Sequence, residues 1–512
     1  MKRVRQIVGL VLAAVFLLAL FPGCEEQAEG SLPSPQIVLR EGTVLSQQPS
    51  AESSLGNGET PSSSDPSVLS SQTAAPSQSA SAPASSSQAV QSSSSSQTTS
   101  SSQSSAVSSS SSQAVSSSVP SSSSQVSSST ASSGASSGSG SSYSGDEYRA
   151  VWFSYLDISG MLKGQTESVF RKNIRSAFQK ISDLGCNVAL VQVRPFGDAL
   201  YESDYFPWSY LCTGTEGKDP GFDPLDVMID EARDLDLEIE AWVNPYRIRL
   251  SNNRNNALCS ENIASQWEDE EEDYVIRYNG GIYYNPARPE VRELIVDGVR
   301  ELAAHYDLDG IHFDDYFYPS PDDSFDSTAY KEYKSGGGSL GLGDWRRENV
   351  NILIRDVYAA IKAEDSSIRF GISPQGNTSN NYNSQYIDVD KWLSNKGYVD
   401  YICPQIYFGF NNASSPFTQT VALWNSKIKV SGISLYVGLS PYKIGLTDTW
   451  AGSSGKNEWV TDSSILARQV QSARDYKKYG GFALFRYASL FAPDSSVKSQ
   501  VEKERNALAD VL

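Results

Sequence analysis

The segment Gly310-Ile311-His312-Phe313-Asp314-Asp315-Tyr316 decides the fold. In a strand, successive side chains point to opposite faces. Ile311 and Phe313 form the apolar set, which turns His312, Asp314 and Tyr316 to the other face. Helical stretches flank this run at 289–306 and 344–363, and the alternation continues in both directions. Strands are expected at 149–155, 187–194, 238–246, 310–316, 369–375, 401–408, 435–441 and 481–487, with further helices at 167–184, 463–479 and 496–511. Short apolar strands alternating with helices argue for a parallel α/β sheet. Eight such repeats are the number that closes a (β/α)8 TIM barrel. The expected barrel domain is 146–512, with its longest insertion after strand three, from about 247 to 285. That insertion carries an acidic run, 268–273, expected to be a solvated face rather than a calcium site, and the dipeptide Asn279-Gly280, a strong hairpin signal.

Upstream of the barrel the texture differs. Residues 1–24 read as a signal peptide: Met1-Lys2-Arg3-Val4-Arg5 is basic, and the apolar run from Ile7 to Phe21 is short for a membrane span. The run ends Leu20-Phe21-Pro22-Gly23-Cys24, which resembles a bacterial lipobox with Cys24 as the lipidated residue; Phe21 and Pro22 depart from its usual pattern. An uncleaved signal anchor is the alternative, and both readings put the remainder outside the membrane. Residues 25–145 are expected to be a disordered Ser-rich linker, because such a composition cannot offset the entropy of ordering. A flexible coil of ~100 residues reaches roughly 50–60 Å. The expectation is therefore a lipid-anchored protein on the extracellular face of a bacterial membrane, in the cell-wall zone.

The formal net charge of -19 argues against nucleic acid and anionic lipid as partners, since both are bound through clustered Lys and Arg. Only two histidines, His305 and His312, are present, and the five cysteines show no CxxC spacing. Zinc chemistry draws on such ligands, so no metal and no cofactor is expected. Cys186 and Cys403 read as small buried hydrophobes, whereas Cys212 and Cys259 lie in loop-like sequence and could pair. The 27 Tyr and 9 Trp suit a sugar cleft, but a large core would use them equally well.

In a (β/α)8 barrel the active site lies at the C-terminal ends of the strands. Alternation sends Gln192 and Arg194 inward from strand two, Trp242, Asn244 and Tyr246 from strand three, and His312, Asp314 and Tyr316 from strand four. Strand five offers Ser373 and Gln375, and strand six Gln405 and Tyr407. Polar and aromatic residues thus collect where a purely structural barrel would place Val, Leu and Ile. Glycoside hydrolysis usually needs two carboxyl groups, one ionised and one protonated. Asp314 is the best-placed carboxylate, Asp315 follows it toward the rim, and Asp198 in the loop after strand two is the first choice for a further one. Arg194 is expected to share a cavity with Asp314 and to lower the pKa of the aspartate it touches; the alternative is a bracing pair with Glu240.

Several segments then become informative together: Arg149-Ala150-Val151-Trp152, Gln192-Val193-Arg194-Pro195 with Gly197-Asp198-Ala199, Pro207-Trp208-Ser209, Ala241-Trp242-Val243-Asn244-Pro245-Tyr246-Arg247, Asn285-Pro286, Pro289-Glu290-Val291-Arg292, and Asp309-Gly310-Ile311-His312-Phe313-Asp314-Asp315-Tyr316-Phe317-Tyr318-Pro319. In this order they resemble the glycosyl-hydrolase-like family ten domain of bacterial surface lipoproteins. The resemblance implies a barrel glycosidase acting on peptidoglycan glycan strands, including strands stripped of peptide. The strand-four segment is also similar to the acidic motif of chitinases. There Tyr316 falls where the catalytic Glu would be, so chitinase-type substrate-assisted hydrolysis lacks its acid. The two functional classes to separate are a glycan hydrolase and a surface lipoprotein that binds glycan without cleaving it.

Overall fold

The computed structural model describes residues 147–250, 258–268 and 273–512; the expected signal peptide, Cys24 and the linker lie outside the described residues. Eleven strands occur among the described residues: β1 Tyr148–Phe153, β2 Val188–Arg194, β3 Glu238–Val243, β4 Arg247–Arg249, β5 Val275–Tyr278, β6 Gly281–Tyr284, β7 Gly310–Phe313, β8 Arg369–Ile372, β9 Tyr401–Ile402, β10 Ser434–Leu439 and β11 Tyr479–Leu484. Eight of them close a parallel barrel in the order β1-β2-β3-β7-β8-β9-β10-β11 and back to β1. The other three form a small antiparallel sheet, ordered β4-β6-β5, in the insertion after β3. Asn279 and Gly280 join β5 to β6 with φ of 47° and 80°, the two positive values of a type I′ hairpin turn. Of the acidic run, only Glu268 and Asp273 are described; they pair with Arg277 and Arg288.

All eight expected strands exist, but most stop earlier than their sequence pattern. Pro245, Pro374 and Pro404 follow β3, β8 and β9 closely, and each removes a ladder N–H. Beyond β8 and β9 only isolated bridges remain, Gln375 to Gln405 and Gln405 to Gly438. The expected helices appear as Glu167–Asp183, Pro289–His305, Leu342–Glu364, Ile465–Ala473 and Lys498–Ala509. A further helix, Pro224–Arg233, supplies the crossover from β2 to β3. Its start is set by Asp223, whose side chain accepts from the N–H of Leu225 and Asp226, and by Pro224 in the first turn.

Alternation sorts the barrel into two cores. Val151, Phe153, Ala189, Val191, Ile239, Ala241, Ile311, Phe313, Phe370 and Ile372 face the helices. Ala150, Trp152, Val188, Leu190, Trp242, Tyr401, Cys403, Tyr436 and Ala483 fill the interior. The interior also carries a polar string. The Trp152 indole donates to His312 Nε2 (3.3 Å), His312 Nδ1 meets the Tyr401 hydroxyl (2.8 Å), and that hydroxyl donates to Glu240 (2.5 Å). Arg369 closes the string on Glu240 at 3.0 Å. Burial pushes the His312 pKa down to about 3, so its ring is neutral. Cys186, Cys212, Cys259 and Cys403 are all free thiols, so Cys212 and Cys259 are not joined.

The aromatic ring of Tyr401 fits inside the barrel because its neighbour on β8 is Gly371: a Cβ there would lie 2.0 Å from that ring. Adding even a methyl group to a packed interior forces side chains off their rotamers. Gly371→Ala is expected to cost roughly 1–3 kcal/mol of stability, measured as a lower urea midpoint at unchanged slope.

Candidate active site at the barrel mouth

The site grows from the pairing of β3 with β7, where Trp242 lies beside His312 and Val243 beside Phe313. The next residues, Asn244 and Asp314, are therefore neighbours just beyond the ladder. Asp314 Oδ2 accepts from the Trp242 indole N–H (3.1 Å) and from the Asn244 amide; Oδ1 accepts from the backbone N–H of Tyr316 (3.1 Å). Asn244 is itself held, since its Oδ1 accepts from Gln192 Nε2 (2.6 Å) and from Arg247 Nη2 (3.1 Å). Asp315 leans the other way, toward β8 and β9. Its Oδ1 accepts from Gln405 (2.9 Å), and its Oδ2 from Gln375 (3.1 Å) and Gln385 (2.8 Å).

Asp314 is 4% exposed and Asp315 7%. Burial, and then the adjacent Asp315 charge, raise the Asp314 pKa to about 7; Arg247 and the donated hydrogen bonds pull it back only in part. Asp314 therefore holds a proton near neutrality, while Asp315 accepts from three side-chain amides. A protonated carboxyl beside a second carboxyl can support general acid–base chemistry.

The rim above the pair is aromatic. Tyr316 is 49% exposed, and the Arg247 guanidinium lies 4.9 Å from its ring centre and 5.1 Å from that of Phe196. Tyr155 packs edge-on against Phe196. On the opposite side Tyr407 packs against Tyr442 (5.7 Å) and Phe485 (5.8 Å). Aromatic faces of this kind suit the apolar faces of sugar rings.

The expected site residues divide into three groups. Asp314, Asp315, Gln375, Gln405, Tyr316 and Tyr407 gather at the mouth, although Asp315 is buried under three amides and does not stand at the rim. Gln192, Trp242, Asn244 and His312 were expected to bind substrate, but they lie behind the carboxylates, with their polar atoms taken up by protein. Arg194, Tyr246 and Asp198 are directed elsewhere. The ladder slips between Gln192 and Arg194 so that Arg194 pairs with the outward-facing Val243. Such a bulge reverses the alternation, and the Arg194 guanidinium lies 4.3 Å from the Phe206 ring centre, bonded to neither Asp314 nor Glu240. The chain turns at Pro245 and carries Tyr246 into the helix-facing core against Phe317. Asp198 is wholly buried beside Arg249 (3.5 Å) and the N–H of Tyr210 (3.4 Å). It braces the loop after β2 against β4.

Two residues at the site escaped the sequence reading. Arg247, on β4, is the cation that faces Asp314; it stood in a motif, but strand alternation breaks at Pro245 before reaching it. Gln385 follows the helix Thr378–Ser384 and carries no strand signal.

A closed parallel barrel carries its functional side chains at the C-terminal mouth, and here that mouth holds two adjacent carboxyl groups under an aromatic rim. The chain belongs to the glycosyl hydrolase-like 10 family, whose model matches residues 147–452. It is 36% identical over 321 residues to glycosyl hydrolase YngK of Bacillus subtilis (strain 168), a match covering 59% of this chain and 62% of YngK, less than two thirds of that relative. It is 32% identical over 335 residues to glycosyl hydrolase DigH of Escherichia coli (strain K12), covering 61% of this chain and 74% of DigH. Among solved structures, the PgaB (BpsB) glycoside hydrolase domain from Bordetella bronchiseptica superposes with a TM-score of 0.43 at 13% identity, over 71% of this chain and 98% of that domain. That likeness is too loose to transfer a site.

The raised pKa of Asp314 has a consequence for stability. An aspartate in the unfolded chain titrates near 4, so this group's contribution is fully present below about 4. It is lost progressively as pH rises through about 7, and it levels off above that. Asp314→Asn should remove this component, so the difference in unfolding free energy between variant and wild type should shift in favour of the variant between pH 4 and 7 and then hold constant. Urea titrations across that range measure it.

Proposed function

We propose that this protein hydrolyses glycosidic bonds in a cell-surface polysaccharide, peptidoglycan glycan strands in the first place. The observation that carries the proposal is the Asp314–Asp315 pair, one carboxyl protonated near neutrality and the other cradled by Gln375, Gln385 and Gln405. Asp314 gives its proton to the bridging oxygen as the bond to the anomeric carbon breaks, and that oxygen leaves as a hydroxyl. Water supplies the hydroxyl that the anomeric carbon gains, and Asp315 accepts the remaining proton. The family and the relatives named glycosyl hydrolases support glycan hydrolysis as a class. The choice of peptidoglycan rests on the sequence resemblance together with the export signal. We further propose that Cys24 carries a lipid and that the Ser-rich segment lets the barrel work outside the membrane, within the wall.

Incubation of the purified protein with peptide-free glycan strands should release new reducing ends, with activity falling above about pH 7 as Asp314 loses its proton. Asp314→Asn should lower turnover by at least about 10²-fold with an unchanged circular dichroism spectrum. Tight binding of the strands with no product from the wild-type protein would instead favour a glycan-binding surface protein. Wild-type rates in a folded Asp314→Asn variant would remove Asp314 from the chemistry.

A further inference from the structure

The donor and acceptor inventory around Asp314 fixes more than its pKa. A backbone N–H can only donate, so the contact from Tyr155 N at 3.0 Å identifies Gln192 Oε1 and turns Gln192 Nε2 toward Asn244. Guanidinium groups also only donate, so Arg247 Nη2 marks the same atom of Asn244, Oδ1, as the acceptor. Two donors on that oxygen leave the Asn244 amide one orientation, with Nδ2 directed at Asp314 Oδ2. The Trp242 indole, again only a donor, fills the second lone-pair site of the same oxygen. Asp314 Oδ2 therefore has no lone pair left for a proton, whereas Oδ1 carries a single donor, the N–H of Tyr316.

We infer that Gln192 and Asn244 are positioning residues that hold the transferable proton of Asp314 on Oδ1. The inference rests on the proposal that Asp314 is the proton donor. A general acid must present its proton toward the leaving oxygen in the reacting geometry. The chain Tyr155–Gln192–Asn244 selects the oxygen that does so before any glycan arrives. Gln192 is 1% exposed and Asn244 wholly buried, so neither reaches substrate and both act through Asp314. The charged and titratable groups around Asp314 are Asp315 and Tyr316, which follow it in the chain, and Arg247 on β4; His312, two residues earlier on β7, is neutral.

Two near-isosteric changes at Gln192 test this. Gln192→Met removes one donor from Asn244 Oδ1 and frees that amide to rotate. Gln192→Glu puts an acceptor in its place and adds a negative charge. Both weaken donation to the ionised form of Asp314. Its titration midpoint should therefore rise in the order wild type, Gln192→Met, Gln192→Glu, by about one pH unit or more in the last. The probe is carboxyl carbon-13 NMR of full-length protein labelled at aspartate, with the Asp314 signal assigned by its loss in Asp314→Asn. On peptide-free glycan strands kcat should fall about tenfold or more in both variants, with KM held within about twofold and the alkaline limb displaced upward. A folded variant of either kind whose Asp314 midpoint stays at the wild-type value overturns the inference. So does a lowered melting temperature with an unmoved pH profile. The carboxyl titration needs no substrate, so it decides the inference even if the wild-type protein cleaves no glycan.

Discussion

Two consecutive aspartates buried at the end of one short strand set the terms for everything around them. Neither Asp314 nor Asp315 has enough water to stabilise a charge, and their charges oppose each other. Burying such a pair is affordable only if one carboxyl keeps its proton or if protein dipoles replace the lost solvent. The structure does both. Three donors converge on each carboxyl group, drawn from β3, the residue just beyond it and the backbone for Asp314, and from the segments that follow β8 and β9 for Asp315. The barrel's closure makes this possible, because it brings strands distant in sequence to opposite sides of the same residue pair.

The layers beneath the mouth serve the same end. The string from Trp152 through His312 and Tyr401 to Glu240 and Arg369 satisfies its polar groups internally and puts its charges at the far end of the barrel. His312 stays neutral directly below Asp314 and adds no cation that would draw off its proton. Arg247 is the counterweight. It limits the rise in the Asp314 pKa, braces Asn244, and lies against the exposed ring of Tyr316. One side chain thus couples the electrostatics of the pair to the aromatic rim.

Much of this was legible in the sequence wherever a regular period governed the chain. Ile311 and Phe313 on one face and His312 and Asp314 on the other is a statement about alternation, and the structure keeps it. The reading failed where the period was interrupted. The bulge between Gln192 and Arg194 turned Arg194 outward, and no local signal announces a bulge in an unbroken Val-Gln-Val-Arg run. Pro245 ended the alternation before Tyr246, so Tyr246 joined the outer core and Arg247 took the position by the carboxylates that Arg194 was expected to hold. Gln385 reaches Asp315 from a loop, where spacing along the chain carries no information about direction. Asp198 has the right residue type close to a strand end, but its surroundings, Arg249 and the Tyr210 N–H, come from segments that only the tertiary fold brings together.

The most direct test of the account is the structure of Asp314→Asn bound to a peptide-free glycan oligomer. The account predicts a glycosidic oxygen within about 3 Å of the side chain at position 314, with sugar rings laid against Tyr316 on one side and Tyr407 on the other. A well-ordered oligomer whose nearest glycosidic bond lies beyond the reach of both 314 and 315 would contradict it.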